Sequence, residues 1–392
     1  MKIRLHLLGL PHTITTDEYS HCAFTGKIKR FSPMMRSIGY EVYHYGNETS
    51  ESDADVQIDI LSLDEFNSLR KSSYKQLHPD TSDEEVDAKL ADKKQFIGDL
   101  GNLTLPIYTI FNERLRVKLK ENYRSKSTDI VCLPFGPGHE NAISGMDYVC
   151  VESGIGYNNA YKDFRIYESY AVKHFDTGRF GKQHVNYWFV CPNYYDITHW
   201  PFNDTPIKKR IGFFGRINDL KGIHIIVELA KKFPDVEFIV CGQGDLSIYP
   251  SLPNLIYQEP LHGTDRGKYL SSLTALLAPS LYLEPFCGVS VEAQLCGTPV
   301  ITHDNGAFVE NVEQFKTGLR CSTLSDFCYG IQMALDDRFD RKYINERAVK
   351  LWDMYEVAKK YDYAFKSIIN VYNGTNGWYS DNVCIDVLDD KS

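Results

Sequence analysis

The sequence predicts an α/β protein built as two doubly wound, Rossmann-like parallel-sheet domains. Three observations carry that prediction. The chain has 392 residues, too many for one ordinary hydrophobic core and well suited to two domains of roughly 190 residues each. Apolar runs of strand length alternate with segments of helical spacing in both halves, the order that builds parallel sheets. Between the halves, Cys191 to Pro206 holds three prolines among polar residues and reads as the boundary. The first domain is expected over residues 1–195 and the second over 206–364.

In the first half, Ile3 to Leu8 reads as the opening strand, followed by a long polar loop, Gly9 to Phe24, that carries His12 and His21. Ile28, Phe31, Met35 and Ile38 then recur at helical spacing, with Pro33 expected to kink or restart the helix. Glu41 to Tyr45 and Val56 to Leu61 read as strands. Asp64 to Gly101 is highly charged and reads as exposed helices decorating the domain. Ile107 to Tyr123 forms a clearer helix, followed by strand Ile130 to Leu133, the loop Pro134 to Asn141, strand Tyr148 to Val151 and the loop Glu152 to Tyr157. A helix over Arg165 to Phe175 and a strand over Tyr187 to Val190 close the domain.

The second half opens with Arg210 to Arg216, a strand entering a turn at Gly215. A helix through Ile223, Ile226, Val227 and Ala230 leads to strand Glu237 to Cys241 and a second turn, Gly242-Gln243-Gly244-Asp245. The most informative stretch is Leu276 to Glu310. Its apolar run ends at Ala278, Pro279-Ser280 breaks it, and Gly288 to Cys296 has helical spacing that Gly297 and Pro299 terminate. Val300-Ile301 begins the next strand, and aromatic-rich helices run from Tyr343 to Tyr372. Glu284 therefore falls in a strand-to-helix loop and Glu292 about one turn inside the helix. The backbone N–H groups around Phe286, Cys287 and Gly288 form a free helix N-terminus, which favours anions. Carboxylates flanking such an anion site suit a ligand with phosphates in its middle and hydroxyls at both ends, as in a nucleotide sugar.

Glu284-Pro285-Phe286-Cys287-Gly288-Val289-Ser290-Val291-Glu292 resembles the E-x7-E motif of retaining GT-B glycosyltransferases, family 4 in particular. The resemblance covers most of the stretch from Arg210 to Ile369; the first half matches only in its alternating pattern. It implies two Rossmann-like domains facing a central cleft, with a C-terminal helix of about 365–392 packed back on the first. It further implies that Glu284 contacts the donor sugar and Glu292 the ribose. Gly215-Arg216 with Lys221-Gly222 resembles the same family's phosphate-binding turn. Fixed cations there stabilise the charge that grows on a leaving diphosphate. Gly242 and Tyr257 are implied to lie near the nucleotide base. Two departures stand out. The first loop, Gly9-Leu10-Pro11-His12, lacks the usual glycine pair, and Cys287 stands where glycine is common.

Other motifs point elsewhere or nowhere. Gly242-x-Gly244 is not a dinucleotide fingerprint, because Ser247 occupies the third glycine position. Asp53-Ala54-Asp55 resembles a metal-binding DxD, but it precedes a strand where that motif follows one. No histidine or cysteine cluster has zinc-ligand spacing, so no metal and no cofactor are expected. His139, in a loop at a strand's carboxyl end, reads either as a residue near the transferred sugar, by resemblance, or as a structural loop histidine; His12 is its rival for facing the acceptor. The net charge of −9 and the lack of a strongly basic segment argue against nucleic acid as partner. Scattered cysteines without C-x-x-C pairs, no signal-like start and no apolar run of ~18 residues point to a cytoplasmic protein, peripheral membrane contact aside.

Together these readings predict a retaining, metal-independent glycosyltransferase moving a sugar from a nucleotide-diphosphate donor to a hydroxyl of a glycan or other acceptor. An epimerase or hydrolase of sugar nucleotides on the same fold is the nearest alternative. A non-catalytic sugar-nucleotide sensor is the alternative of another class.

Overall fold

The computed structural model describes residues 2–19, 22–91, 97–179, 181 and 187–373. The chain divides into two compact units. The first comprises residues up to Tyr167, Asp176–Cys191 and the chain from Val357; the second comprises Glu168–Phe175 and Pro192–Glu356.

Seven parallel strands form the sheet of the first unit: β1 Arg4–Leu8, β2 Glu41–Gly46, β3 Val56–Asp59, β4 Asp129–Cys132, β5 Cys150–Ile155, β6 Phe164–Tyr167 and β7 Trp188–Val190. Their order is β3-β2-β1-β4-β5-β6-β7. The chain thus winds outward one way from β1 and the other way from β4, leaving a topological switch between them. Val131, Leu133 and Leu8 pack under Phe111, Leu115 and Leu119 of the helix Pro106–Asn122. The charged segment folds as helices Leu63–Leu77 and Asp83–Ala91, the first held by a capping box between Ser62 and Glu65. The last helix, Met354–Tyr372, joins this unit from Val357 on. Tyr361 stacks edge-on against Phe31 at 5.4 Å, and Tyr40 donates its hydroxyl to Asp362 at 2.8 Å. Of the terminal helix expected over 365–392, residues 374–392 lie outside the described residues, as does His21.

Several expected elements are corrected. The helix placed at Arg165–Phe175 is strand β6 followed by the helix Tyr170–Arg179. All four residues of β6 are buried, so the strand has no alternation to betray it. Arg165 resembles a helical surface residue, yet it is buried with its guanidinium 2.8 Å from Asp176. Glu152 to Ile155, expected as loop, belong to β5. Pro134 to Asn141 is partly helical, with one 3-10 turn at Gly136–His139 and a short helix from Glu140. Pro33 does not restart its helix, which runs from Ala23 to Ser37.

The second unit repeats the plan with six parallel strands: β8 Arg210–Phe214, β9 Glu237–Cys241, β10 Leu255–Gln258, β11 Ala275–Ala278, β12 Val300–His303 and β13 Gly318–Cys321. The order is β10-β9-β8-β11-β12-β13, with the switch between β8 and β11. Both faces are covered. Ala275 and Leu277 pack with Ile211, Phe213, Ile223 and Phe327 on one side, while Leu276 and Ala278 pack with Leu270, Leu273 and Ala293 on the other. The architecture is α/β with two parallel-sheet Rossmann-like domains.

Candidate functional site at the switch of the second sheet

The loops that leave the carboxyl ends of β8 and β11 meet at the switch point, where open α/β sheets bind ligands. Backbone contacts fix how closely they approach. Gly222 has φ +78°, and a Cβ there would stand 2.2 Å from the Pro279 carbonyl oxygen. Leu281 donates its N–H to the Leu220 carbonyl at 2.9 Å. The two loops are therefore zipped together, with Lys221 directed at the second. The neighbouring glycine turn is equally tight: at Gly242 (φ +157°) a Cβ would lie 1.7 Å from the Gly215 carbonyl oxygen. Gly215 and Gly242 thus share one crowded corner that a side chain at 242 would break.

Against this frame the charged groups pair. The Lys221 Nζ donates to Glu284 Oε1 at 2.6 Å and to the Tyr282 hydroxyl at 2.7 Å. Ser280 Oγ donates to the same Glu284 oxygen at 2.6 Å. The side chains of Lys221 and Glu284 are 19% and 5% exposed, so this is a nearly buried ion pair. Burial works against the Lys221 ammonium, but Glu284 beside it outweighs that and raises its pKa. Burial, with Glu284 nearby, pushes the Tyr282 hydroxyl up to about 12. Lys221 is thus charged and Tyr282 neutral at physiological pH.

The loop beyond Glu284 is pinned from several sides. Ala307 donates its N–H to the Glu284 carbonyl at 3.0 Å, Ser169 Oγ to the Pro285 carbonyl at 2.6 Å and Asn311 Nδ2 to the Phe286 carbonyl at 2.6 Å. Cys287 then takes the left-handed region, φ 59° and ψ 74°, and starts the helix Gly288–Leu295 without a side-chain cap. For a non-glycine residue that backbone costs roughly 1–2 kcal/mol. Its thiol is buried, and burial with Glu284 nearby raises its pKa, so it is inert packing. The strain is stored where the unpaired N–H groups of the helix begin.

Glu292, buried one turn into the helix, pairs with the Arg266 guanidinium, which comes from the helix Gly263–Ser272. That guanidinium lies 4.3 Å from the centroid of the Phe214 ring and 5.9 Å from that of Trp200. Arg216 follows Gly215 and is exposed. Tyr257 stands on β10, the edge strand two places from β8, and is 41% exposed. The fold therefore gathers Gly215, Lys221, Gly242, Glu284, Phe286, Cys287, Gly288 and Glu292 around one switch point, with Arg216 at its rim and Tyr257 apart. Sequence reasoning missed Arg266, Tyr282 and Ser280. The last two lie inside the stretch Leu276 to Glu310, just before the motif, whereas Arg266 had no local signal.

The first unit holds the other candidates. His139 is fully buried, with Nδ1 3.3 Å from Asn112 Oδ1, and burial lowers its pKa to about 3. His12 Nδ1 lies 2.7 Å from the Tyr108 hydroxyl. They follow β4 and β1 at that sheet's own switch. Asp53 and Asp55 both bind Arg36, at 2.9 and 3.1 Å, and Asp55 also accepts the Val42 N–H at 2.8 Å. These carboxylates serve a local turn.

Comparison with known proteins bears on the family and the fold. Residues 199–351 match the family described as glycosyl transferases group 1. A stretch of 180 residues is 29% identical to an uncharacterized glycosyltransferase of Methanocaldococcus jannaschii, covering 42% of this chain and 45% of that protein. A shorter stretch of 127 residues is 32% identical to the D-inositol 3-phosphate glycosyltransferase of Mycobacterium bovis, covering 29% of this chain and 26% of that one. The matches span less than half the length of these relatives. Among solved structures, AviGT4, a glycosyltransferase involved in avilamycin A biosynthesis, superposes with a TM-score of 0.64 at 15% identity, covering 95% of this chain and 98% of its own. Anabaena HepE, solved in complex with UDP and glucose, gives 0.62 at 14% identity, covering 94% and 100%. The likeness to these glycosyltransferases over almost the whole chain identifies the fold as GT-B.

Proposed function

We propose that this chain, whose residues 199–351 match the group 1 glycosyl transferases, moves a sugar from a nucleotide-diphosphate donor to an acceptor hydroxyl with retention of configuration. The observation that carries this reading is the pairing at the second sheet's switch. A lysine–carboxylate pair and an arginine–carboxylate pair flank one helix N-terminus at the spacing of the E-x7-E motif. That arrangement offers N–H groups and cations to a diphosphate and carboxylate oxygens to the hydroxyls on either side of it.

In this reading Arg216, Lys221 and the N–H groups at Phe286 to Gly288 hold the diphosphate, Glu284 orients the sugar and Glu292 the ribose. Gly215 and Gly242 let the backbone come close to the ligand. Charge developing on the leaving phosphate oxygen meets fixed cations, which lowers the barrier more than it tightens ground-state binding. The C–O bond to the leaving phosphate breaks as the acceptor oxygen bonds to the same face of the sugar. The departing phosphate oxygen takes the acceptor proton, so no side-chain base is needed. The diphosphate charge is met by protein groups, and transfer is expected to persist in excess chelator. Loss of activity with rescue by Mn²⁺ or Mg²⁺ would refute that part.

The deciding experiment is a thermal-shift screen of nucleotide sugars, followed by product analysis with the stabilising donor and a panel of acceptors. Transfer with the donor's anomeric configuration preserved by NMR supports the proposal. Free sugar or an epimerised nucleotide sugar as sole product, whatever the acceptor, would overturn it in favour of a hydrolase or epimerase. Binding without any turnover would favour a sensor.

A further inference from the structure

We propose that the first unit contains an anion-binding recess centred on Arg70, built to hold a phosphate or carboxylate group of the acceptor. The assignment to an acceptor rests on the transferase reading above; the anion site does not. Arg70 lies on the helix Leu63–Leu77, is only 5% exposed, and spends one donor on the Leu90 carbonyl at 3.0 Å. The Tyr19 ring lies 5.5 Å from its guanidinium. Among the described residues no carboxylate pairs with it, its Nε is buried without a hydrogen-bond partner, and burial lowers its pKa. Among the described residues the other buried arginine, Arg165, is matched to Asp176.

A buried cation without a counter-ion is costly, and capping one helix carbonyl satisfies only one of five donors. The expected resolution is an anion that arrives from outside. The surroundings fit one. Arg70 lines a small recess, partly open to solvent, together with His12, Thr13, Tyr19, Cys22, Ile97 and Leu100. His12 and Thr13 come from the loop after β1, beside the switch with β4, where doubly wound sheets take their ligands. The recess thus offers the unsatisfied Arg70 Nε–H to one small anion, beside a His12 imidazole and a Thr13 hydroxyl that Tyr108 and Thr25 already engage.

The test uses the whole chain with its second unit saturated by UDP, so that added anion reports on the remaining site. Cys22 lines the recess and is a free thiol, so its alkylation, followed by peptide mass spectrometry, reads occupancy there; Cys328, in the second unit, is the control. Inorganic phosphate at ten times its Kd is expected to slow Cys22 alkylation roughly tenfold and leave Cys328 unchanged. Acetate in a parallel arm distinguishes a carboxylate-bearing acceptor from a phosphorylated one by which anion protects better. Arg70→Met should abolish protection, and Arg70→Lys should retain part of it. If neither anion protects Cys22 in the wild-type protein, the proposal fails, and this readout stands even if Arg70→Met does not fold. Protection that persists in a folded Arg70→Met protein would also overturn it. Because no turnover is measured, failure of the transferase reading would leave the outcome readable.

Discussion

Replacing Glu284 by Gln should weaken the fold and strengthen nucleotide binding at once. The structure supplies both effects. Lys221 and Glu284 meet at 2.6 Å with 19% and 5% of their side chains exposed. At that distance and an effective dielectric of about 20, their attraction is about 6 kcal/mol before desolvation is subtracted. Removing one partner of a buried pair costs about 3–5 kcal/mol, because the other charge is left unmatched. Glutamine keeps an acceptor for Lys221 and Ser280, so a loss of about 3 kcal/mol in urea unfolding of the second unit is expected. Lys221→Met combined with Glu284→Gln should recover much of that loss, since no orphaned charge remains. A diphosphate, however, would then find Lys221 with no competing carboxylate. Calorimetry with the nucleoside diphosphate of the donor that the screen identifies should show Kd for Glu284→Gln lowered by about tenfold, worth about 1.4 kcal/mol, while turnover with that donor falls. The reasoning is refuted if the single variant unfolds within about 0.5 kcal/mol of wild type, or if its affinity for that nucleoside diphosphate drops.

Three further outcomes follow from the same geometry. Glu292→Gln should weaken binding of the donor's nucleoside diphosphate by about tenfold, since hydrogen bonds to a charged acceptor are worth roughly 1.5–3 kcal/mol, and Arg266→Met should weaken it in the same direction by releasing the carboxylate that Arg266 holds; calorimetry reads both. Arg216→Ala should lower turnover by about 10²-fold in steady-state kinetics while leaving the melting temperature unchanged, because Arg216 is exposed and, in the proposed reaction, its charge acts on the leaving group. Acid should destabilise the first unit: burial lowers His139 to about 3 and His44 to about 4, so below pH ~6.5 the unfolded chain takes up protons that the folded one refuses. Stability should fall by up to about 1.4 kcal/mol per pH unit per histidine as pH drops from about 6.5 toward those values, and His44→Gln should flatten the slope by one proton in urea titrations at a series of pH values.

How much of this was legible in the sequence depended on whether the signal was local. Strand β9 reads directly, because Glu237 to Cys241 is an apolar run ended by the Gly242 turn. The loop and helix around Glu284 and Glu292 read equally well, since Pro279, Gly297 and Pro299 punctuate them. Strand β6 did not read as one, because burial on both faces removes the alternation and Arg165 imitates a surface residue. The pairing of the charges was not legible. Lys221 and Glu284 were each given a ligand to hold, yet across sixty-three residues they bind one another. The close approach of Gly222 to Pro279 and the Leu281–Leu220 backbone hydrogen bond bring their loops together, and nothing in either local sequence encodes them. Arg266 is the same case: its partner lies on another helix, and an ion pair between helices leaves no periodic trace.

That pairing resolves why two carboxylates sit beside a site suited to anions. Unpaired, Glu284 and Glu292 would oppose the positive potential of the helix N-terminus and repel a diphosphate. Each instead carries its own cation, so the two pairs together are neutral, and the dipole with Arg216 leaves the site attractive to anions. The pairs differ in how they could respond to a ligand. Arg266 has Phe214 and Trp200 beside it and a planar fork, which hold Glu292 as a fixed acceptor. Lys221 is a point charge on a flexible stem, already shared between Glu284 and Tyr282. In the proposed reaction a diphosphate can draw that ammonium toward itself, freeing Glu284 oxygens for the sugar hydroxyls as the phosphate gains charge. Sugar and phosphate recognition would then be coupled through one proton-rich nitrogen. Lys221→Arg tests this coupling: arginine keeps the charge but holds its partner in a rigid fork. Affinity for the donor's nucleoside diphosphate should stay within about threefold of wild type while turnover falls at least about tenfold, and equal losses in both would mean that the two recognitions are independent.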